Sequence, residues 1–411
     1  MRNLLKNKGY TLVSDSANAD MTIINSCTVT SSAASKTRSR ITAAKKANPE
    51  VKIALVGCYA QEAKENILDK KEVDLILGNE EKYNIDNYIP MLKEEPIVSV
   101  QQDGANSTAY TFLNHSSPAD GKRTRANLKI QEGCDYYCSY CIIPHLRGDV
   151  RSKEYETSLK EAKKLDQIGY NEIVLTGVNT GRYHSKDKNL VDLIQGILTE
   201  TALKRIRISS IEPNLVEDRL IRLMKDNDRL CNFLHIPLQH GTNQILERMN
   251  RNYTIGEYTK LVKYLKSEIP EICIGTDLMV GFPGESKELF LQMKEKLSKL
   301  PINHYHVFRF SPKKGTPAEE MADKVHSRTK KKRSKQLREL GKEKKQEYIS
   351  RFKDQHKKVL VERVDDGRAT GYTDNFIRVN FRTNKNLKNK IVSTKIIEIE
   401  AQQALGDLKN Q

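Results

Sequence analysis

Residues 134–148 read Cys-Asp-Tyr-Tyr-Cys-Ser-Tyr-Cys-Ile-Ile-Pro-His-Leu-Arg-Gly, so three thiols, Cys134, Cys138 and Cys141, fall at C-x3-C-x2-C spacing. The stretch follows a short apolar strand signal, Leu128 and Ile130, and a turn residue, Gly133. Three thiolates on one tight loop can hold three irons of a cubane cluster and leave the fourth iron without a protein ligand. An iron with an open position is a place for chemistry. A structural zinc site is the other reading, because His145 follows Cys141 at C-x3-H and would complete a Cys3His tetrahedron. Finding iron or zinc in anaerobically purified protein separates the two.

Working outward, residues 126–320 alternate strand and helix signals. Strand candidates are 128–130, 172–176, 205–209, 233–237, 272–280 and 305–310, with amphipathic helical segments between them. Six such units make an α/β fold, a partial (β/α)6 barrel whose site lies at the C-terminal mouth of its strands. The residues just past those strands are glycine or polar in every case: Gly177 and Asn179, Ser210 and Glu212, Gln239 and His240, Gly281 and Glu285, Ser311. A chain leaving a core is often polar at one such point. Their coincidence at one rim is what informs.

Residues 1–95 read as a smaller α/β unit with strands at 21–25, 51–56 and 73–77 and a helix at 31–47. Cys27 and Cys58 each stand directly after a strand. In an open parallel sheet such strand ends share one edge, so the two thiols can converge on a common ligand. Residues 96–125 are rich in Gln, Asp, Gly and Ser and read as a linker with one short strand around 110–113.

The chain carries 70 Lys plus Arg against 53 Asp plus Glu in 411 residues, a net charge of +17, which points to a polyanionic partner. The charge concentrates in residues 321–355, expected to be a basic helical linker. From Lys324 to Lys358 there are 15 Lys or Arg and 4 Asp or Glu. Leu337, Leu340, Tyr348 and Phe352 give this helix a thin apolar stripe, and its lysines are placed to contact phosphates. Residues 356–400 alternate in short strands between Gly and Asn turns, the pattern of a small antiparallel RNA-binding barrel. Seven unevenly spaced cysteines without an apolar leader suit a reducing cytoplasm with thiols as metal ligands. Apolar runs such as 53–56 are too short to span a membrane.

With these stretches in hand, the chain resembles the methylthiotransferases, radical S-adenosylmethionine enzymes with an N-terminal cluster domain, a radical barrel and a C-terminal TRAM domain. The resemblance rests on Asn25-Ser-Cys-Thr-Val29, Gly57-Cys-Tyr-Ala-Gln61, 133–148, Ser210-Ile-Glu-Pro213, His235-Ile-Pro-Leu-Gln239 and Gly281-Phe-Pro-Gly-Glu285, in this order. Leu175-Thr-Gly-Val-Asn-Thr-Gly181 and Arg207-Ile-Ser-Ser-Ile211 look most like the branch acting on N6-threonylcarbamoyladenosine beside the tRNA anticodon. The isopentenyladenosine branch is the alternative substrate. A non-catalytic tRNA-binding iron-sulfur protein is the alternative class.

The resemblance implies two [4Fe-4S] clusters and S-adenosylmethionine, an anticodon stem-loop and an electron donor as partners, and neither DNA nor a membrane. Cys134, Cys138 and Cys141 would hold the radical-generating cluster. Cys27 and Cys58 match two of three ligands of an auxiliary cluster, whose sulfur is methylated before a radical at adenine C2 accepts it. Tyr140, Asn179, Ser210, Glu212 and Gln239 would line the S-adenosylmethionine pocket. The chain departs from the family at its start. The first strand, with its Gly-Cys turn, is missing before Met1, so the expectation is an internally placed start or a truncated form. His240 stands where relatives carry Ser and is expected to substitute as a hydrogen-bonding group.

Overall fold

The computed structural model describes residues 1–28, 31–62, 72–93, 95–100 and 123–408. The strand expected around 110–113 lies outside the described residues. Near the N-terminus, β1 (Met21–Ser26), β2 (Lys52–Gly57), β3 (Leu75–Leu77) and β4 (Ile97–Ser99) form a parallel sheet in chain order. Strand β2 is apolar on both sides because both are covered. Ile53 and Leu55 meet Ile41 and Ala44 of α2 (Ser31–Ala47), while Ala54 and Val56 meet Leu5 of α1 (Arg2–Asn7). Strand β4 corrects the expected linker at 96–125. Three residues behind Pro96 are too few to show a period, and only pairing with β3 makes them a strand.

The barrel strands are β5 (Arg125–Lys129), β6 (Glu172–Thr176), β7 (Arg205–Ile208), β8 (Phe233–His235), β9 (Cys273–Val280) and β10 (His304–Arg309). All neighbouring pairs run parallel. The bridge Ser210↔His235 joins the first three strands to the last three. Among the described residues no pairing joins β5 to β10, so the barrel is open at its side. Helices α3 (Tyr155–Gln167), α4 (Leu190–Glu200), α5 (Asp218–Asp226), α6 (Ile255–Glu268) and α7 (Lys287–Lys299) return the chain. Asn189 with Asp192 and Thr254 with Glu257 form capping boxes that start α4 and α6.

The basic segment is a helix, α8 (Ser327–Ser350). Its apolar stripe splits between two cores: Leu337 and Leu340 join the radical barrel, and Tyr348 joins the C-terminal core with Phe352 beyond the helix. That core fills a closed barrel of β11 (His356–Asp365), β12 (Arg368–Thr373), β13 (Arg378–Arg382), β14 (Ile391–Glu400) and β15 (Gln403–Leu408), ordered β11-β12-β13-β15-β14. Two details differ from the expected antiparallel barrel ending at 400. Strand β15 extends it to Leu408, and β15 closes on β13 in parallel. The β14–β15 hairpin turns at Ala401 (φ 43°) and Gln402 (φ 66°), so the glycine or asparagine that usually marks such a turn is not there to read. Among the described residues no helix is long and apolar enough to cross a membrane.

Candidate functional site

Residues 134–142 form a loop beyond β5 that runs into a short helix, Ile143–Arg147, the whole clasped at its base by a two-residue antiparallel ladder pairing Gln131 with Ser152 and Glu132 with Arg151. Cys134 N donates to Gly148 O at 3.1 Å and closes it. Gly133 has φ +73°, and a Cβ there would collide with the Asp149 carbonyl, so the closure requires glycine. The middle of the loop is anchored on the far side of the barrel. Ser139 donates from N to Met249 O at 3.0 Å and from Oγ to Arg248 O at 2.7 Å.

Arg251 ties the site together and was not singled out in the sequence. Its guanidinium donates to Cys138 Sγ at 3.0 Å and to the Tyr140 hydroxyl at 3.4 Å, and it pairs with Glu212. It lies over the Tyr253 ring at 4.9 Å. The only local signal was Met249-Asn-Arg-Asn-Tyr253, a polar run after a short helix, which by itself predicts nothing. Burial pushes the thiols up, Cys134 to about 11 and Cys141 to about 12. Cys138 is raised by the same cause against the pull of Arg251. Burial likewise raises the Glu212 carboxyl, with Arg251 opposing. Metal-free, these thiols hold their protons at neutral pH, and a cation among them would displace those protons.

A zinc ion draws its ligand atoms to within about 4 Å of one another. Among the described residues, only His235, Asp277 and His306 bring three such atoms within 4.8 Å of one another. The three cysteines and His145 do not meet that spacing among the described residues. Asn179 offers a second test. It is 3% exposed, and neither its amide oxygen nor its nitrogen has a partner among the described residues, so it presents a free donor and acceptor to a ligand. The neighbouring Ser210 carbonyl is taken up by Thr180, from N at 3.2 Å and from Oγ1 at 2.6 Å.

A cavity of about 750 Å³ opens beside the loop, with Tyr140, Cys141 and Gln239 among its walls. Asn179, Ser210 and Glu212 lie on the neighbouring strand ends and do not line it. Gln239 sits at φ +65°, where a residue other than glycine is strained, and its N donates to Asp277 O at 2.8 Å. Asp277 accepts from His235 at 3.2 Å and His306 at 3.3 Å; burial works against its charge, and the two imidazoles outweigh it, holding the carboxyl well below the usual range.

Glu285 serves a different purpose from the rim role the sequence suggested, and His240 is the hydrogen-bonding group expected. The Glu285 carboxylate pairs with Arg333 of α8, accepts from Gly281 N at 2.9 Å and lies 3.3 Å from His240 Nε2. Both side chains are fully buried. They fasten α8 to the barrel, and His240 completes its bonding with Thr242.

The N-terminal sheet meets the loop at Cys58. This thiol packs with Ile142 and Leu146, and Arg147 Nε donates to its sulfur at 3.3 Å while Nη1 bonds Glu132 at 2.9 Å. Gly57, at φ +96° and crowded by Asn25 and the Ser26 carbonyl, turns the chain there. Cys27 is exposed after β1, and its neighbour Thr28 is reached by Lys313 from the cavity wall at 3.4 Å. Both strand ends thus face the barrel mouth.

Residues 128–297 match the Radical SAM superfamily, and residues 1–78 match the family described as Uncharacterized protein family UPF0004. The open six-stranded barrel with a three-cysteine loop after its first strand is that of a radical S-adenosylmethionine enzyme. Over 405 residues the chain is 36% identical to threonylcarbamoyladenosine tRNA methylthiotransferase MtaB of Bacillus subtilis (strain 168), covering 96% of this chain and 89% of that protein. It is 34% identical over 409 residues to tRNA-2-methylthio-N(6)-dimethylallyladenosine synthase of Clostridium tetani (strain Massachusetts / E88), covering 96% and 89%. The chain belongs to the methylthiotransferase family of radical S-adenosylmethionine enzymes. Among solved structures, the radical S-adenosylmethionine methyltransferase TsrM from Kitasatospora setae matches with a TM-score of 0.52 at 13% identity, covering 70% of this chain and 61% of that one, a likeness of fold. Family membership implies a [4Fe-4S] cluster and S-adenosylmethionine as cofactors.

Proposed function

We propose that this enzyme methylthiolates C2 of N6-threonylcarbamoyladenosine at position 37 in the anticodon stem-loop of tRNA, giving 2-methylthio-N6-threonylcarbamoyladenosine, in the cytoplasm and with an external electron donor. The observation that carries the reading is one juxtaposition. The cysteine loop opens onto the cavity at Tyr140 and Cys141, and Cys58 of the N-terminal sheet packs against Ile142 of the same loop. A sulfur source on the N-terminal unit and a radical source on the barrel would then serve one substrate pocket.

In this reading Cys134, Cys138 and Cys141 hold the radical cluster, and Cys27 and Cys58 ligate the auxiliary one. When bound, the cluster supplies the electron that opens the sulfonium C–S bond of S-adenosylmethionine. The protein's own part is placement. Arg251 fixes Cys138, Tyr140 and Glu212 relative to one another, so one buried guanidinium orients both sides of the cofactor pocket. The Asn179 amide, with Ser210, Glu212, Tyr140 and Gln239, completes that pocket. Apolar packing by Ile142 and Leu146 keeps water from the space between the two thiol sets. The C-terminal barrel and the exposed lysines of α8 bind the RNA backbone.

Mass spectrometry of tRNA nucleosides tests the function. A strain lacking the gene should lose 2-methylthio-N6-threonylcarbamoyladenosine, accumulate the unthiolated nucleoside and recover on complementation. Persistence of the mark, or loss of the isopentenyl product instead, sinks the assignment.

A further inference from the structure

The relatives divide between a threonylcarbamoyl substrate and a dimethylallyl one, two groups with opposite chemistry. The first ends in a carboxylate, and the second is hydrocarbon. The wall of the cavity beside Cys141 is apolar in part, with Ile142, Ile143, Met279 and Phe308, and also carries a cluster of cations that suits the first. Arg309, Lys313, Lys330 and Arg338 line it, with Asp277 as the one carboxylate. Asp277 pairs through Oδ1 with His235 and His306, and among the described residues it forms no ion pair with any of the four cations.

The four cations are not equally available. Lys313 reaches away to Thr28, and Arg338 donates to Val307 O at 3.1 Å. Lys330 gives one of its three donors to Phe310 O at 3.1 Å and lies 5.0 Å from the Phe310 ring centre. Burial holds its ammonium below the usual lysine pKa, with Glu285 opposing and Arg309 and Lys324 adding to the fall. The Arg309 guanidinium has no ion pair or hydrogen bond among the described residues. Arg309, exposed to solvent, stands at the end of β10, and Lys330, half-buried, stands in the first turn of α8. A planar guanidinium with its fork free is suited to a carboxylate.

We propose that Arg309 and Lys330 form a carboxylate subsite that receives the threonyl arm of the substrate base and thereby selects threonylcarbamoyladenosine over an alkylated adenosine. This rests on the functional reading above and assigns the specificity of that site to two residues. An alkyl arm in the same position would leave both cations desolvated and unpaired, the unfavourable arrangement through which a polar site rejects an apolar competitor.

The test uses the cluster-reconstituted enzyme and three otherwise identical anticodon stem-loop RNAs, carrying adenosine, isopentenyladenosine or threonylcarbamoyladenosine at position 37. R309Q and K330Q should weaken binding of the threonylcarbamoyl RNA about ten- to a hundredfold, toward the affinity of the unmodified RNA. Binding of the unmodified RNA should stay as in wild type, which also reports that the variants fold, and binding of the isopentenyl RNA should tighten as the penalty of the unpaired cation is relieved. R309K should recover part of the difference. Equal weakening for all three RNAs would mean that the cations hold a backbone phosphate, and unchanged binding would mean that they hold nothing; either overturns the subsite. Wild-type enzyme that thiolates the isopentenyl RNA alone would instead overturn the functional reading, before any variant is made.

Discussion

The radical barrel meets its two neighbours through seams of different kinds. Against the C-terminal barrel it buries charge that is fully partnered. Arg207 Nε bonds Glu172 at 2.8 Å, its remaining nitrogens reach the carbonyls of Asp374 and Thr373, and Arg205 reaches those of Tyr372 and Lys358. Phe233 and Phe376 lie beside them with tilted rings whose centres are 4.6 Å apart. Burial works against the Glu172 charge, and the guanidiniums around it outweigh that, holding the carboxyl below the usual range. Against the N-terminal sheet the seam is Cys58 under Arg147 with Ile142 and Leu146, joined by single polar contacts: Asn79 Nδ2 to Leu146 O at 3.1 Å, Lys129 to the Tyr83 hydroxyl at 3.4 Å, Lys313 to Thr28 at 3.4 Å and Arg151 with Glu80 at 3.9 Å. The first seam fixes the two barrels as a unit. The second keeps a reactive group within reach of the site. The Arg207 stretch whose sequence resembles the threonylcarbamoyl branch belongs to the first, so its guanidinium acts in assembly and not in the cavity.

The largest effect is expected on the chemical side. Cys138→Ser should leave the fold, as judged by circular dichroism, and abolish both the iron bound at the loop and methylthiolation. Retained iron with full activity would break the assignment of the three thiols. On the structural side, Arg207→Met should cost about 3–5 kcal/mol in denaturant unfolding, because it leaves Glu172 buried and short of its main partner. A loss below about 1 kcal/mol would show that Arg205 and Arg125 suffice. Arg147→Met sharpens the contrast. Glu132 keeps Lys129, so stability should fall by only about 1 kcal/mol, while sulfur insertion drops through misplacement of Cys58.

The smallest expected effect is a pH dependence. His304 lies edge-on to Phe376 at 5.9 Å, and burial, with His306 beside it, lowers its pKa to about 4. An unfolded histidine titrates near 6.5, so between about pH 6.5 and 4 the unfolded chain binds a proton that the folded one refuses. Stability from this group is present above that window and declines as pH falls through it. Melting temperature should therefore drop on acidification, with a shallower slope in His304→Gln; identical slopes would place the acid sensitivity elsewhere.

Features written within a few adjacent residues were legible without coordinates. The C-x3-C-x2-C loop, the strand and helix repeat of the barrel and the apolar stripe of α8 depend on neighbours in sequence, which spacing records. What the sequence withheld is what depends on partners far along the chain. Arg251 meets Cys138 across 113 residues and Arg147 meets Cys58 across 89, and neither arginine has a local pattern to distinguish it from the other basic residues. Likewise Ile97–Ser99 becomes a strand only beside β3, Glu285 leaves the rim only because Arg333 and His240 claim it, and β15 turns without a turn residue. The sequence by itself determined which groups can do radical sulfur chemistry. The tertiary structure decided which of them face one cavity, because burial and pairing are set by packing between segments that local order does not encode.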